Sequence, residues 1–121
     1  IHRKFGADPA RTVLGGFSQG AMLSCDALLH SIQPYAGLIQ LSGTLVAKQE
    51  WNPLMVKRKG MPVFQSHGTQ DPILDYAMAE RLRDEFAQAK MNVDWQPFRG
   101  GHEIPELVLR RLGLFIRKIF V

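Results

Sequence analysis

Short apolar segments alternate with amphipathic segments along the chain, and this alternation constrains the fold more than any other feature of the sequence. Apolar runs bounded by turn residues predict buried strands, whereas apolar side chains repeated every three to four residues predict helices. Pro97 falls within the last of these apolar runs and suggests that this strand lies at an edge of the sheet, because proline has no backbone N–H to donate. The pattern is typical of an α/β architecture, here about four mostly parallel strands with covering helices. The strands are expected at residues 11–16, 36–43, 61–68 and 92–98, and the helices at residues 19–32, 76–90 and 103–120.

The bulk composition fits a single globular domain that spans residues 1–121. Apolar residues make up 45% of the chain and charged residues 21%, as is ordinary for a soluble protein. The net charge of +4 comes from short basic runs, such as residues 57–59, which we interpret as solvated surface. We therefore expect no nucleic-acid partner. No apolar run is long enough to span a membrane.

Cys25 is the single cysteine of the chain. A single cysteine excludes an internal disulfide and fits a reducing compartment, so we expect a cytoplasmic protein. Its place in a predicted helix favours a buried, small apolar side chain over a reactive thiol. The sequence has neither a residue cluster with metal-ligand spacing nor a glycine-rich phosphate loop. We therefore expect chemistry that needs no metal or other cofactor.

Three residues that can carry chemistry each follow a predicted strand. Ser18 comes after the first strand, Asp71 after the third and His102 after the fourth. In parallel sheets of this kind, ligands and reactive groups gather at the carboxyl ends of the strands. The three side chains are therefore expected at the same edge of the sheet.

Ser18 lies in the pattern G-x-S-x-G, between a predicted strand and a predicted helix. Such a turn holds a serine in a strained conformation, and bulky residues two positions away on either side would clash. The first turn of the following helix presents free N–H groups, and the Gln19 N–H is the natural donor to a developing oxyanion. We interpret Ser18 as a nucleophile; the alternative is a serine that caps the helix.

A serine nucleophile needs a base that accepts its proton. His102 lies in the glycine-flanked loop "FRGGHEIP", whose backbone freedom allows the imidazole to approach Ser18. His67 is the competing candidate, although it precedes the acid in the chain and is more consistent with a residue that fixes a loop by hydrogen bonding. His30 and His2 are interpreted as surface residues.

The acid of the site should orient the imidazole and stabilise its cation. Asp71 is favoured because Pro72 keeps it extended and stiffens the loop. Asp75 is the alternative, but its position just before the helix at Tyr76 is typical of a helix cap.

The segment between the second and third strands has no clear period. Its residues Leu45 and Trp51, together with Ile73, could line an acyl pocket beside the nucleophile. Ordinary packing of a long connection explains each of these residues equally well.

Four segments together resemble the phospholipase/carboxylesterase family of α/β-hydrolases, which includes acyl-protein thioesterases and lysophospholipases. They are "RTVLGGFSQGAM", "GLIQLSGTL", "PVFQSHGTQDPIL" and "FRGGHEIPE", in this order. The resemblance implies Ser18 as nucleophile, Asp71 as acid and His102 as base. It also implies an oxyanion contact from Gln19 and places Leu45 and Ile73 near the acyl chain.

The resemblance also implies an N-terminal half that carries further strands and a second oxyanion donor, and nothing in this sequence matches that half. The chain is thus expected to be a reduced, truncated α/β-hydrolase domain. Its expected function is hydrolysis of short- to medium-chain carboxylic esters or thioesters by a serine carboxylesterase acting on a small or lipid-like acyl substrate. The alternative is a non-catalytic or barely active fragment with a partial oxyanion hole. Because the first strand would lie on an open edge, we expect a homo-oligomer or another association along it.

Overall fold

The computed structural model describes residues 8–120. Four parallel strands form one sheet in the order β1-β2-β3-β4. A short 3₁₀ turn at Pro9–Arg11 precedes the first strand. The strands are β1 (Val13–Phe17), β2 (Gly37–Leu41), β3 (Pro62–Gly68) and β4 (Asn92–Phe98), and the helices are α1 (Gln19–His30), α2 (Lys48–Val56), α3 (Tyr76–Gln88) and α4 (Glu106–Phe120).

The parallel α/β architecture predicted from the sequence is confirmed, and the four strands lie within two residues of their predicted bounds. β4 occupies an edge, as Pro97 predicts. The last helix begins at Glu106 and not at residue 103, because Pro105 provides the carbonyl that accepts the first helical hydrogen bonds. His102 lies in the loop before this helix, as the sequence predicts.

Helix α2 was not predicted by the sequence pattern. Pro53 lies inside this nine-residue helix and has no backbone N–H to donate, so the segment lacks the appearance of a helix. Its buried side chains are Trp51 and Met55, which lie one turn apart and face the core. Tertiary packing of these two side chains therefore outweighs the poor helical propensity of the segment.

The two faces of the sheet carry separate apolar clusters. We call the face of the sheet that α1, α2 and α3 cover the first face, and its apolar cluster is the larger of the two. The second face is covered by α4, whose Val108 and Phe115 pack on Leu41 and Phe64. The first-face cluster consists of Cys25, Leu28, Leu29, Leu38, Trp51, Met55, Met61, Val63, Leu82, Phe86, Ala89 and Met91.

Strand β1 pairs with β2 on one side and, within residues 8–120, with no strand on the other. The expected open edge is thus present in the described part of the chain. No helix formed by these residues has the length and apolar character that crossing a bilayer requires. His2, interpreted above as a surface residue, lies outside the described residues.

Candidate active site

Ser18 lies at the junction between β1 and α1, as the sequence predicts. Its backbone has φ 57° and ψ −117°, a conformation that non-glycine residues rarely adopt. The Ser18 N–H donates to the carbonyl of Leu41 at 2.8 Å, which fixes the turn to the end of β2. Its side chain makes no capping hydrogen bond to α1, so the hydroxyl is available for other contacts.

The two glycines of the G-x-S-x-G pattern have different functions. A Cβ on Gly16 would lie 2.5 Å from the carbonyl carbon of Gly20, a contact that the backbone cannot accommodate. A Cβ on Gly20 would meet nothing within 4 Å. The expectation that both positions exclude a side chain is therefore correct for Gly16 and wrong for Gly20, because the close approach is made by the Gly20 backbone itself.

The loop that carries His102 is held against the loop that follows β3. Backbone N–H groups of Thr69 and Gln70 donate to the carbonyls of Phe98 and Gly100 at 2.8 and 2.9 Å. A Cβ on Gly68 would lie 2.3 Å from the carbonyl oxygen of Gly101, so the approach requires a glycine at the end of β3. These contacts hold the loop of His102 next to the loop of Asp71.

Ser18, His102 and Asp71 form one hydrogen-bonded chain. Nδ1 of His102 lies 2.7 Å from Oδ2 of Asp71, and Nε2 lies 2.8 Å from Oγ of Ser18. A carboxylate can only accept, so Nδ1 carries the proton and Nε2 is free to accept from the serine hydroxyl. The Asp71 side chain is fully buried and that of His102 is 17% exposed. This arrangement can transfer a proton from Ser18 to His102.

Phe17 is a neighbour of the base that the sequence does not reveal. Its ring centroid lies 4.8 Å from that of His102, with the planes tilted by 48°. Phe17 ends β1 and also packs on the second-face cluster. The only signal in the sequence is an apolar residue immediately before Ser18, which does not by itself indicate contact with a distant loop.

The Asp71 carboxylate is well supplied with donors. Oδ1 accepts from the backbone N–H groups of Ile73 and Leu74 at 2.8 and 2.9 Å. Burial acts to raise the pKa of Asp71, but the hydrogen bonds from Leu74, His102 and Ile73 outweigh it and hold the pKa below its usual value. Asp71 is therefore ionised at neutral pH, as a residue that stabilises an imidazolium must be.

Gln19 is the first residue of α1. The first N–H groups of a helix have no acceptor within the helix, and the positive end of the helix dipole favours an anion. The backbone of Gln19 is thus in the position from which an oxyanion beside Ser18 can be stabilised.

The residues expected to line an acyl pocket are found in three different environments. Ile73 is 68% exposed on the loop that follows Asp71, beside the hydrogen-bonded chain. Leu45 is half-buried and packs against the first-face cluster. Trp51 is 1% exposed and its Nε1 donates to Asp26 on α1 at 2.9 Å. This placement corrects the expectation for Trp51, because a side chain enclosed in the core has no surface for a substrate.

The alternative residues named from the sequence have structural contacts. Asp75 caps α3 by accepting from Ala77 N–H at 3.2 Å, as expected. Cys25 is fully buried. Burial is the main cause that raises the pKa of its thiol, and the negative charge of Asp26 raises it further, so the thiol is not a nucleophile. Nε2 of His67 lies 2.8 Å from the carbonyl oxygen of Leu74.

Among the described residues, the group with metal-ligating side chains is Asp26, His30 and Glu50 on the surface of α1 and α2. Nδ1 of His30 lies 2.8 Å from the carbonyl oxygen of Asp26, and Nε2 lies 3.1 Å from Oε1 of Glu50. It lies twelve residues along α1 from Ser18, about 18 Å at the helical rise per residue. This group is therefore separate from the chain of Ser18, His102 and Asp71.

Two grooves of about 600 and 750 Å³ lie along β4 and α4. They share Asp94, Phe115 and Lys118, and neither is lined by a member of the hydrogen-bonded chain. The candidate reactive site is therefore identified by its side-chain geometry and not by either of these two grooves.

Comparison with known proteins gives consistent matches over nearly the whole chain. Residues 2–120 match the family described as Phospholipase/Carboxylesterase. Acyl-protein thioesterase 1 of Candida albicans is 30% identical over an alignment of 124 positions, which spans 98% of this chain and 54% of that protein. Acyl-protein thioesterase 1 of Kluyveromyces lactis is 41% identical over 99 residues, which cover 78% of this chain and 43% of that protein.

Among solved structures, the crystal structure of esterase PE8 superposes with a TM-score of 0.88 at 28% identity and covers 98% of this chain and 54% of that one. The chain spans about half the length of the curated relatives that it matches. The fold, the order of the motifs and these matches agree. The chain belongs to the phospholipase/carboxylesterase family.

Proposed function

We propose that the chain is a serine carboxylesterase that hydrolyses short- to medium-chain carboxylic esters or thioesters through an acyl-enzyme. The observation that carries this proposal is the continuous chain of hydrogen bonds from Ser18 through His102 to Asp71, at 2.8 and 2.7 Å. The names of the relatives, acyl-protein thioesterase and esterase, support an ester or thioester as the substrate class.

Acylation begins with the Ser18 hydroxyl. Its oxygen attacks the acyl carbonyl carbon while its proton passes to Nε2 of His102, and Asp71 stabilises the imidazolium that forms. The carbonyl oxygen becomes an oxyanion, to which the Gln19 N–H donates. When the tetrahedral intermediate collapses, the bond to the leaving group breaks and His102 returns the proton to the departing oxygen or sulfur.

Deacylation repeats these steps with water. His102 accepts a proton from the water molecule, the resulting hydroxide attacks the acyl-enzyme, and the proton returns to Ser18 as the carboxylic acid leaves. No step uses an electron acceptor or a metal ion, so this reaction needs no cofactor. Exposed Ile73, beside Asp71, offers apolar surface to the acyl chain.

A barely active fragment is the alternative function. The chain spans about half of its curated relatives, and Gln19 supplies one backbone donor to the oxyanion. Loss of one oxyanion donor commonly lowers kcat by about 10²–10³. The same Ser18 would then be activated by His102 but would turn over slowly.

Ester hydrolysis by the purified 121-residue chain tests the proposal. Wild-type protein is expected to hydrolyse a p-nitrophenyl ester, and Ser18→Ala is expected to lower kcat by about 10⁴ or more, because the nucleophile is lost. Ser24→Ala is the matched control, since the Ser24 hydroxyl donates to the Gly20 carbonyl within α1 and takes no part in the proposed reaction. Undiminished hydrolysis by Ser18→Ala would refute the proposal.

A fluorophosphonate probe separates the esterase from the barely active fragment. Labelling of Ser18 together with rapid turnover supports a complete oxyanion site. Labelling of Ser18 with slow turnover supports the fragment with an activated serine. Absence of labelling in folded protein would contradict both forms of the proposal.

We also propose that the open edge of β1 pairs with a second copy of the chain or with a separate polypeptide. The support is the unpaired edge of β1 within residues 8–120. Unpaired N–H and C=O groups along a strand favour association.

A further inference from the structure

His67 is a buried histidine that the proposed reaction does not use. It is the penultimate residue of β3, and its side chain is fully buried. Its ring centroid lies 6.1 Å from that of Tyr76 at the start of α3. Nε2 of His67 lies 2.8 Å from the carbonyl oxygen of Leu74 and 3.3 Å from Oδ2 of Asp71. Both neighbours belong to the loop that carries the acid of the site.

The neighbours of the His67 ring determine which of its two nitrogens carries the hydrogen. A carbonyl oxygen can only accept, so Nε2 of His67 must carry a hydrogen. Nδ1 is buried and has no hydrogen-bond partner in the described part of the chain. A hydrogen on Nδ1 would be a buried donor without an acceptor, which is costly, so the ring hydrogen is placed on Nε2, where the Leu74 carbonyl accepts it.

Leu74 connects His67 with the opposite side of the Asp71 carboxylate. Its N–H donates to Oδ1 of Asp71 at 2.9 Å, while its carbonyl accepts from His67. Nε2 of His67 also lies 3.3 Å from Oδ2, the oxygen that binds His102. The Asp71 carboxylate therefore accepts from its own loop and from His102, and His67 holds that loop through Leu74.

We propose that His67 is a positioning residue that acts through Asp71. It holds the loop of residues 71–74 on β3 so that Oδ2 meets Nδ1 of His102. This inference rests on the proposed function only in assigning Asp71 as the acid; the contacts themselves do not depend on turnover. His67 does not act as the base, because its Nε2 is engaged by Leu74 and no surface of its ring is open to a substrate.

Two substitutions at position 67 distinguish the effect of the Nε2–H donor from the effect of the volume that the His67 ring fills. His67→Met fills the cavity with a flexible apolar side chain and removes the donor. His67→Gln places an amide N–H near the position of Nε2. We expect His67→Met to lower kcat roughly 10- to 100-fold with little change in KM, and His67→Gln to recover most of that loss, since a buried carbonyl left without its donor has about this cost.

The proton shared by His102 and Asp71 provides a readout that does not depend on activity. A proton in a short histidine–carboxylate hydrogen bond resonates far downfield in the NMR spectrum. The resonance should be present in wild-type protein, Ser18→Ala and His67→Gln, and lost or broadened in His67→Met. Failure of the esterase proposal would alter the turnover result for Ser18→Ala but not this comparison.

A double-variant cycle tests whether His67 acts through Asp71. In an Asp71→Ala background, His67→Met should lower kcat by less than roughly 2-fold, because the carboxylate that His67 positions is absent. His30→Met is the control for loss of a histidine, since His30 is an exposed residue about 18 Å along α1 from Ser18, and its kcat should match wild type.

Three results would overturn the proposal. One is a folded His67→Met protein that keeps both the downfield resonance and kcat. Another is a folded His67→Gln protein that loses the resonance. The third requires no variant: long-range ¹H–¹⁵N correlation that places the His67 hydrogen on Nδ1 would exclude donation to Leu74, even if His67→Met failed to fold.

Discussion

Three helices cover the first face of the sheet, whereas α4 alone, among residues 8–120, covers the second. The first face buries large side chains from every helix that packs on it, such as Trp51 from α2 and Phe86 from α3. On the second face, α4 leaves Leu109, Ile116 and Phe120 partly exposed. The first face is thus closed by the chain itself, and the second has apolar surface that remains open.

The candidate site draws on both faces. His67 and the loop of Asp71 adjoin α3, which belongs to the first face. Phe17 contacts His102 and packs on the second-face cluster. The acid is therefore supported by the closed face, and the contact between nucleophile and base borders the open one. This difference implies that the two sides of the reaction centre depend on different parts of the core.

The largest expected difference concerns the unfolding free energy of two phenylalanine variants. Phe86→Ala should lower it by about 3–5 kcal/mol, because the cavity opens in a fully enclosed core. Phe115→Ala, which removes the partner of the Phe64 ring at 5.5 Å, should lower it by about 2–3 kcal/mol, since the single covering helix can move to fill the space. Urea denaturation followed by circular dichroism measures both. A loss at Phe115 equal to that at Phe86 would contradict the difference between the two faces.

Acidification should lower the unfolding free energy through Asp71, the acid that the closed face supports. The pKa of Asp71 is depressed in the folded state, so its ionised form stabilises the fold above the unfolded value of about 3.9, and this contribution is lost as pH falls through the folded pKa. Wild-type protein should therefore lose unfolding free energy below about pH 4 more steeply than Asp71→Asn. Urea denaturation at neutral and acidic pH measures the difference. Parallel pH curves for the two proteins would contradict it.

The smallest expected effect concerns the open surface of the second face. Leu109→Gln should change the unfolding free energy of a single chain by less than about 0.5 kcal/mol, because the side chain is exposed. If a second copy covers this surface, the same variant should weaken association in sedimentation at micromolar concentration. Wild-type protein that sediments as a monomer would exclude association at this surface and along the β1 edge.

Much of the fold could be predicted from local patterns. Short apolar runs between turn residues gave strands close to the observed β1 to β4, since a buried parallel strand needs apolar residues on both faces. Helix α2 could not be predicted, because Pro53 weakens its local signal and the burial of Trp51 and Met55 is a tertiary effect. For the same reason, the sequence left Trp51 open between a substrate pocket and ordinary packing, and the structure places it in the core.

The candidate site divides in a similar way. The order of Ser18, Asp71 and His102 after parallel strands predicted that the three would share one edge, and the structure brings them within hydrogen-bonding distance. The sequence favoured His67 as a residue that fixes a loop by hydrogen bonding, but its contacts with both Leu74 and Asp71 had no further signal than a four-residue spacing. Those contacts depend on how the loop of residues 71–74 folds back on β3.

The parallel α/β sheet and the three side chains at its carboxyl edge follow from the amino-acid sequence, because strand periodicity and motif order are local properties of the chain. The choice of apolar residues that form the core, the glycine that the turn at Ser18 requires, and the neighbours that hold Asp71 in place follow from tertiary packing. The physical reason is that these features depend on close approach between segments distant in sequence, and such distances are not encoded in any single stretch of residues.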